Sequence, residues 1–190
     1  LALLGLALKR RWWRHARLAA GLLALALFLA ALGAAARSSL LPAVTLGNLL
    51  AGMGMLALSV RLARLAGTPG RPAALARWAW AALALTLLQV ALGALVSSGH
   101  AGLSCPALGA CDVSVASWRS LNPWLAPAIG TSPDHPGGAL LHLLHRAGGL
   151  AFMGFMLVMG WRLARLRHPW TGAMLLALST LQMLLGLGLV

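Results

Sequence analysis

The chain has 190 residues, of which 61% are hydrophobic and only 9% are charged, and it contains no tyrosine. Because so few polar groups cannot cover the surface of a soluble domain, the composition predicts an all-α, polytopic membrane protein. The formal net charge is +13, but the basic residues collect in short clusters between apolar runs. The positive-inside rule accounts for this pattern, which argues against nucleic-acid binding.

Apolar runs that could span a bilayer follow one another along the chain. Residues 1–8 are too short to span and are expected to be the end of a helix that begins before the chain does. Full spans are predicted at 16–35, 42–62, 79–97 and 138–161, and a truncated fifth span at 169–190. Pro42 and Pro169 stand where a helix N-terminus tolerates proline.

The basic residues predict the orientation of these spans. Twelve of the 15 Lys and Arg residues fall on one side, which is expected to be the cytoplasm. The long loop 98–136 is then outside, on the periplasmic side of a bacterial inner membrane. We predict that residues 1–66 are the remainder of a first four-helix half, 67–78 a cytoplasmic linker, and 79–190 the second half.

An internal repeat links the third and fifth spans. Residues 85–93 and 178–186 share the pattern Leu-Thr/Ser-x-Leu-Gln-x-x-Leu-Gly at an offset of 93 residues. The first span ends similarly at Gly33, with Leu29 at the glutamine position. We interpret the protein as repeated helical hairpins, in which Gln89 and Gln182 hydrogen-bond between helices and the returning helices carry function.

The returning helix at 138–161 carries two histidines on one face. His142 and His145 are separated by about one turn. Imidazole is a ligand of heme iron in helix bundles, so the pair is a candidate for metal or heme ligation. Alternatively, the two histidines hydrogen-bond between helices or reach the outer interface. Small residues that would let a flat macrocycle or a neighbouring helix come close flank the pair: Gly137, Gly138, Gly148 and Gly149.

Only one histidine of such a pair is expected to be the axial ligand, because a planar heme presents one iron to each side. His145 is favoured because it lies deeper in the span, and His142 then belongs to the pocket. Arg146 either pairs with a heme propionate or reaches a lipid phosphate.

The outer loop contains both cysteines of the chain. Cys105 and Cys111 lie in an oxidising compartment with a proline and a glycine between them, which favours a short-loop disulfide. Their spacing fits no common zinc site, and nothing in the sequence supports a redox-active pair. His100 and His135 of the same loop are interpreted as surface residues.

Three of these motifs together resemble the second half of the heme A synthase family. They are the stretch 89–97, the loop residues 101–106 with Cys111, and the His-Leu-Leu-His-Arg motif at 142–146. The resemblance implies eight transmembrane helices in two similar four-helix halves, incomplete here, each with a bis-histidine heme site. One half would hold a heme b cofactor. The other would hold the substrate heme O, whose C8 methyl group becomes the formyl group of heme A with oxygen from water.

Carried over to this chain, the resemblance makes His145 an axial ligand to the iron of heme b, with His142 and Arg146 as weaker members of the pocket. It makes Cys105 and Cys111 the outer-loop pair. The implied partners are heme O, membrane lipid, heme O synthase, assembly factors of terminal oxidases and a second copy of the chain, but no nucleic acid.

The pattern breaks at Asn48. The family carries a ligand histidine there, and asparagine is not a strong ligand to heme iron. The family's Glu-x-x-His-Arg motif and last-helix histidine fall outside the chain, so no catalytic residue is assigned and the fragment itself is expected to be inactive. The alternatives are a divergent heme-binding protein, acting as a carrier or in electron transfer, and a transporter without heme.

Overall fold

The computed structural model describes residues 1–9, 12–66, 73–105, 107, 110–111, 113–127, 136–166 and 169–188. These residues form α-helices and short 3-10 segments, and the described part of the chain contains no strand. The helices are α1 (Ala2–Lys9), α2 (Trp13–Ala35), α3 (Pro42–Ala63), α4 (Ala73–Ser98), α5 (Ala139–Arg165) and α6 (Pro169–Gly188). The predicted all-α class is therefore confirmed.

Four stretches in the described residues are long and apolar enough to cross a membrane. They are Trp13–Ala35, Pro42–Ala63, Ala76–Ser98 and Pro136–Arg165. A helix satisfies all its backbone groups internally, which is why such apolar runs become helices in a bilayer. The chain is an integral membrane protein.

The chain divides into two compact units. The first comprises Leu1–Gly70 with Pro123–Ala126, and the second comprises Arg71–Asn122 with Pro127–Val190. The short segment Pro123–Ala126 joins the first unit because the amide of Ala43 donates a hydrogen bond to the carbonyl oxygen of Pro123 (2.8 Å).

In the first unit, α1 packs on α2 and α2 packs on α3. Glycines bring α2 and α3 together: a Cβ at Gly21 would lie 3.3 Å from Leu58, and one at Gly47 would lie 3.3 Å from Leu32. Helix α3 begins at Pro42 after Leu41, which is extended. Proline favours this position because its fixed φ suits the first helical residue.

In the second unit, α5 packs against both α4 and α6. The first residues of α5 are buried, including Leu141 and His142. The outer loop contributes a 3-10 helix, Val115–Leu121, that also contacts α5. The first turn of α5 is therefore covered by its neighbours, with four buried residues in succession from Ala139 to His142.

Two helices extend past the predicted spans by several residues. Helix α4 begins at Ala73 rather than at 79, and α5 continues to Arg165 rather than stopping at 161. The guanidinium of Arg162 lies 4.5 Å from the centre of the Trp78 ring, and Trp78 stacks on Phe155. Trp78 and Arg162 lie in the parts of α4 and α5 that extend past the predicted spans, and their contact favours helix there. A long basic side chain can lie along an aromatic ring and keep its charge at the membrane–water interface.

Helix α4 ends in a tight turn around His100. His100 has a positive φ of 53°, and the amides of His100 and Ala101 bond back to the carbonyl oxygens of Ser97 and Val96. These are the two bonds of a Schellman motif, which usually places glycine at the left-handed residue. The turn directs the chain back across the outer end of α5.

Candidate functional site

The ring of His145 lies between α4 and α5 and is partly exposed. A Cβ added to Gly93 on α4 would lie 3.1 Å from Cε1 of His145 and 3.7 Å from both ring nitrogens. The ring therefore rests on bare backbone of α4. A side chain at position 93 would have to displace it, because 3.1 Å is closer than ordinary van der Waals contact.

Gln89, one turn before Gly93 on α4, contacts the same histidine. Its Nε2 donates a hydrogen bond to the carbonyl oxygen of His145 (2.7 Å) and lies 3.2 Å from Nδ1 of the ring. The predicted hydrogen bond between helices is thus present for Gln89. The side chain of its repeat counterpart, Gln182, is exposed on α6. The repeat alone did not reveal that His145 is the partner.

His142 has different partners from His145. Its side chain is 4% exposed, and its Nδ1 accepts a hydrogen bond from the amide of Cys105 (3.2 Å). Accepting at Nδ1 places the proton of the neutral ring on Nε2. His142 therefore anchors the outer loop to the first turn of α5.

Arg146 bonds to the same residue of the loop as His142 does. Its Nη1 donates to the carbonyl oxygen of Cys105 (3.3 Å). Cys105 is disulfide-bonded to Cys111, with 4.7 Å between their Cα atoms, so the predicted disulfide is confirmed. The side chains of His142 and Arg146 thus bond to the two backbone groups of one half-cystine. The spacing of the motifs gave no signal of this connection.

The loop also lies close against the residue that precedes α5. A Cβ on Gly138 would lie 2.4 Å from the hydroxyl oxygen of Ser104 and 2.5 Å from the side chain of Ala101. Only glycine fits there. The structure therefore brings together five of the predicted site residues in the second unit: Cys105, Cys111, His142, His145 and Arg146.

Asn48 belongs to the first unit. Its side chain is exposed on α3 and lines an open groove of about 510 Å³. The other lining residues are Leu29, Leu49, Gly52, Met53 and Leu56. Of the remaining histidines in the outer loop, His100 is exposed, as predicted, whereas His135 lies outside the described residues.

A porphyrin needs fewer donor side chains from a protein than a bare metal ion does. Among the described residues, no group of three or more His, Cys, Asp or Glu side chains could hold a metal ion. A porphyrin supplies four nitrogen ligands itself and needs only axial donors from the protein, such as a single imidazole on each side. His145, partly exposed beside the bare backbone at Gly93, fits that requirement.

Fold and site together define a polytopic helical membrane protein with a histidine held at a helix–helix junction beneath a disulfide-bonded outer loop. Residues 1–190 match the family model described as cytochrome oxidase assembly protein (COX15-CtaA), and the chain therefore belongs to this family, the heme A synthase family. Searches of curated proteins and of solved structures found no match.

Proposed function

We propose that this chain is part of a heme A synthase that oxidises the C8 methyl group of heme O to the formyl group of heme A, for use in terminal oxidases. The observation that carries the proposal is the placement of His145 between α4 and α5, where Gly93 and Gln89 of α4 lie against it. The chain that holds this histidine belongs to the family named above.

In this proposal, the second unit holds a heme b cofactor and His145 is one of its axial ligands. A bound heme would supply one-electron redox chemistry. The chain's own residues supply the rest: His145 gives a neutral nitrogen donor, and Gly93 keeps the α4 surface clear beside it. The clamp of His142 and Arg146 on Cys105 holds the outer loop over the end of α5. Burial of His142 in that clamp supports assigning the ligand role to His145 instead.

The function can be tested by expressing the complete gene with a heme O synthase in a bacterium that makes no heme A. Extracted hemes, separated by chromatography, should contain heme A. His145→Ala should remove it, while Gly154→Ala, at a position with no neighbouring atom within 4 Å, should leave it unchanged. Absence of heme A from the wild-type strain, beside a positive control synthase, would contradict the proposal.

A second candidate is a heme-binding relative without synthase activity, and one observation favours it. Asn48 lines the groove on α3 at the position where a ligand histidine is expected, and an amide is a poor iron ligand. Under this alternative, wild-type protein binds one heme and makes no heme A. Asn48→His should then raise the heme-to-protein ratio, and an unchanged ratio would count against the alternative.

A further inference from the structure

A cluster of arginines stands at the ends of α4 and α5 that are not joined by the loop 98–136. The arginine cluster consists of Arg77, near the start of α4, and of Arg162 and Arg165, in the last turn of α5. All three side chains are exposed. The two acidic residues of the 190 are Asp112 and Asp134, and both belong to the loop. The sequence therefore places no carboxylate on α4 or α5 to neutralise the cluster.

Two guanidinium groups of the cluster lie over tryptophan rings. The Cζ atom of Arg162 is 4.5 Å from the centre of the Trp78 ring, and that of Arg165 is 5.4 Å from the centre of the Trp161 ring. Both distances are within the range of a cation–π contact. Trp78 is itself stacked on Phe155 of α5, with 5.5 Å between the ring centres. A ring of α4 thus holds Arg162, and a ring of α5 holds that ring in turn.

The contact with Trp78 leaves the hydrogen-bonding groups of Arg162 available. A guanidinium has five N–H donors and no acceptor. In the part of the chain that the structure describes, no oxygen atom accepts a hydrogen bond from this guanidinium. Unused donors around a planar cation suit a group with several oxygens, above all a phosphate, which arginine binds through two parallel hydrogen bonds.

Exposed tryptophans place the arginine cluster at the level of lipid headgroups. Trp80 of α4 is 71% exposed, Trp161 of α5 is 56% exposed and Trp170 of α6 is 84% exposed. Tryptophan collects at the membrane–water interface, where its apolar ring and its N–H group are both accommodated. Val158, one turn before Arg162 on α5, is exposed too. An apolar surface therefore continues from the arginine into the membrane span.

We propose that the arginine cluster binds the phosphate of an anionic phospholipid, with Arg162 as the contact residue and Trp78 as the residue that positions it. Charge complementarity selects an anionic lipid, because three arginines without a carboxylate on either helix leave a positive surface. The exposed apolar side chains beside the cluster favour a lipid over a free phosphate ion, since only a lipid brings acyl chains to cover them. Arg165, on its own tryptophan, supplies a second set of donors.

A purely structural role for Arg162 predicts a different result. A cation in the last turn of a helix is favourable beside the carbonyl groups that end it, and an arginine on an aromatic ring stabilises the packing of two helices. Either effect would be the same in every lipid. The proposed site instead makes the stability of the protein depend on the lipid supplied, because a ligand that binds only the folded state stabilises it.

The test uses the full-length protein in a neutral detergent, titrated with phosphatidylglycerol. Native mass spectrometry counts the bound lipid, and the midpoint of thermal unfolding is the second readout. Wild-type protein should retain phosphatidylglycerol and unfold at a higher midpoint as this lipid is added, and phosphatidylcholine should have neither effect. Arg162→Gln should weaken binding about fivefold, the usual contribution of one basic residue near anionic lipid. Arg162→Lys, which keeps the charge but loses the bidentate donor, should give an intermediate affinity.

Two matched variants control for charge and for the loss of an aromatic ring. Arg61 is an exposed arginine in the last turn of α3, and no ring contact is seen for it among the described residues, so Arg61→Gln should bind phosphatidylglycerol as the wild type does. Trp78→Leu should weaken binding without a change of charge, whereas Trp80→Leu, at an exposed ring of the same helix, should not. Equal losses in Arg162→Gln and Arg61→Gln, or an equal response of the wild type to phosphatidylcholine, would overturn the proposal.

An experiment on wild-type protein alone covers the case in which a variant does not fold. In phosphatidylcholine vesicles that contain a photoactivatable phosphatidylglycerol, illumination should crosslink the lipid headgroup to residues 73–80 or 158–165, as mapped by mass spectrometry. Unlabelled phosphatidylglycerol should compete. Equal competition by glycerol phosphate would overturn the assignment to a lipid, and crosslinks confined to other segments would refute the site.

Discussion

At the scale of single residues, His142 and His145 lie only one turn apart on α5, yet their surroundings differ. His142 is buried and accepts a hydrogen bond from the backbone of Cys105. His145 is partly exposed and rests on Gly93 and Gln89 of α4. The first arrangement suits a residue that holds a loop, and the second suits a residue that meets a ligand.

We expect His142→Leu to destabilise the protein without removing heme. The substitution leaves the buried amide of Cys105 without its acceptor, which costs about 1–3 kcal/mol. Thermal unfolding in detergent should therefore begin at a lower temperature, while the Soret absorbance per protein stays at the wild-type level. His142→Gln, which can still accept a hydrogen bond, is the control for stability. Loss of the Soret band in His142→Leu but not in His145→Leu would reverse the two assignments.

At the scale of elements, α5 and α6 approach each other closely at a pair of glycines. A Cβ on Gly172 would lie 2.6 Å from the carbonyl oxygen of Gly160 and 2.7 Å from the backbone nitrogen of Ala164. These neighbours are backbone atoms, which cannot move aside as a flexible side chain can. Small residues at such crossings allow tight packing in a bilayer, where van der Waals contact is a main source of helix association.

Gly172→Ala should therefore force α6 away from α5. An overpacked contact of this kind costs about 1–3 kcal/mol, and we expect a lower midpoint of thermal unfolding in detergent. Gly186→Ala, on the same helix with no atom within 4 Å of the added Cβ, should leave the midpoint unchanged. Equal midpoints for the two variants would show that α5 and α6 do not cross at this point.

At the scale of the whole molecule, the basic residues and the cysteines bear on how the chain is oriented in the membrane. Basic residues stand at the ends of α1 and α5, at Lys9, Arg162 and Arg165, whereas the disulfide lies in the loop that joins the outer end of α4 to α5. A membrane potential and the insertion machinery favour basic loops in the cytoplasm. This rule predicts that the Cys105–Cys111 loop lies on the outer side.

This orientation predicts which side of the membrane can be labelled. Spheroplasts lack the outer membrane but keep the inner membrane sealed. In spheroplasts, an impermeant reductant followed by an impermeant maleimide should modify Cys105 and Cys111. Arg64→Cys, placed in a chain without the two native cysteines, should be labelled only after the membrane is opened. Labelling of Arg64→Cys in sealed cells, with protection of the native pair, would invert the topology.

Much of the fold could be predicted because membrane insertion leaves few choices of backbone structure. Helices α2 and α3 end within a few residues of their predicted bounds, since an apolar run must be helical in a bilayer and charges or prolines mark its limits. The early start of α4 and the late end of α5 could not be predicted. Trp78 and Arg162 lie in these two end segments, and their contact between helices is one that local sequence does not specify.

The sequence by itself determined the membrane class, the spans, the disulfide and the histidine motif, because each follows from local composition or from there being two cysteines. Tertiary structure alone decided which groups each motif contacts. His142 meets Cys105 across 37 residues of chain, and Gln89 meets His145 across 56. Such partners depend on how α4, α5 and the outer loop pack. Glycine is required at positions 93, 138 and 148 because side chains of other segments lie close against them.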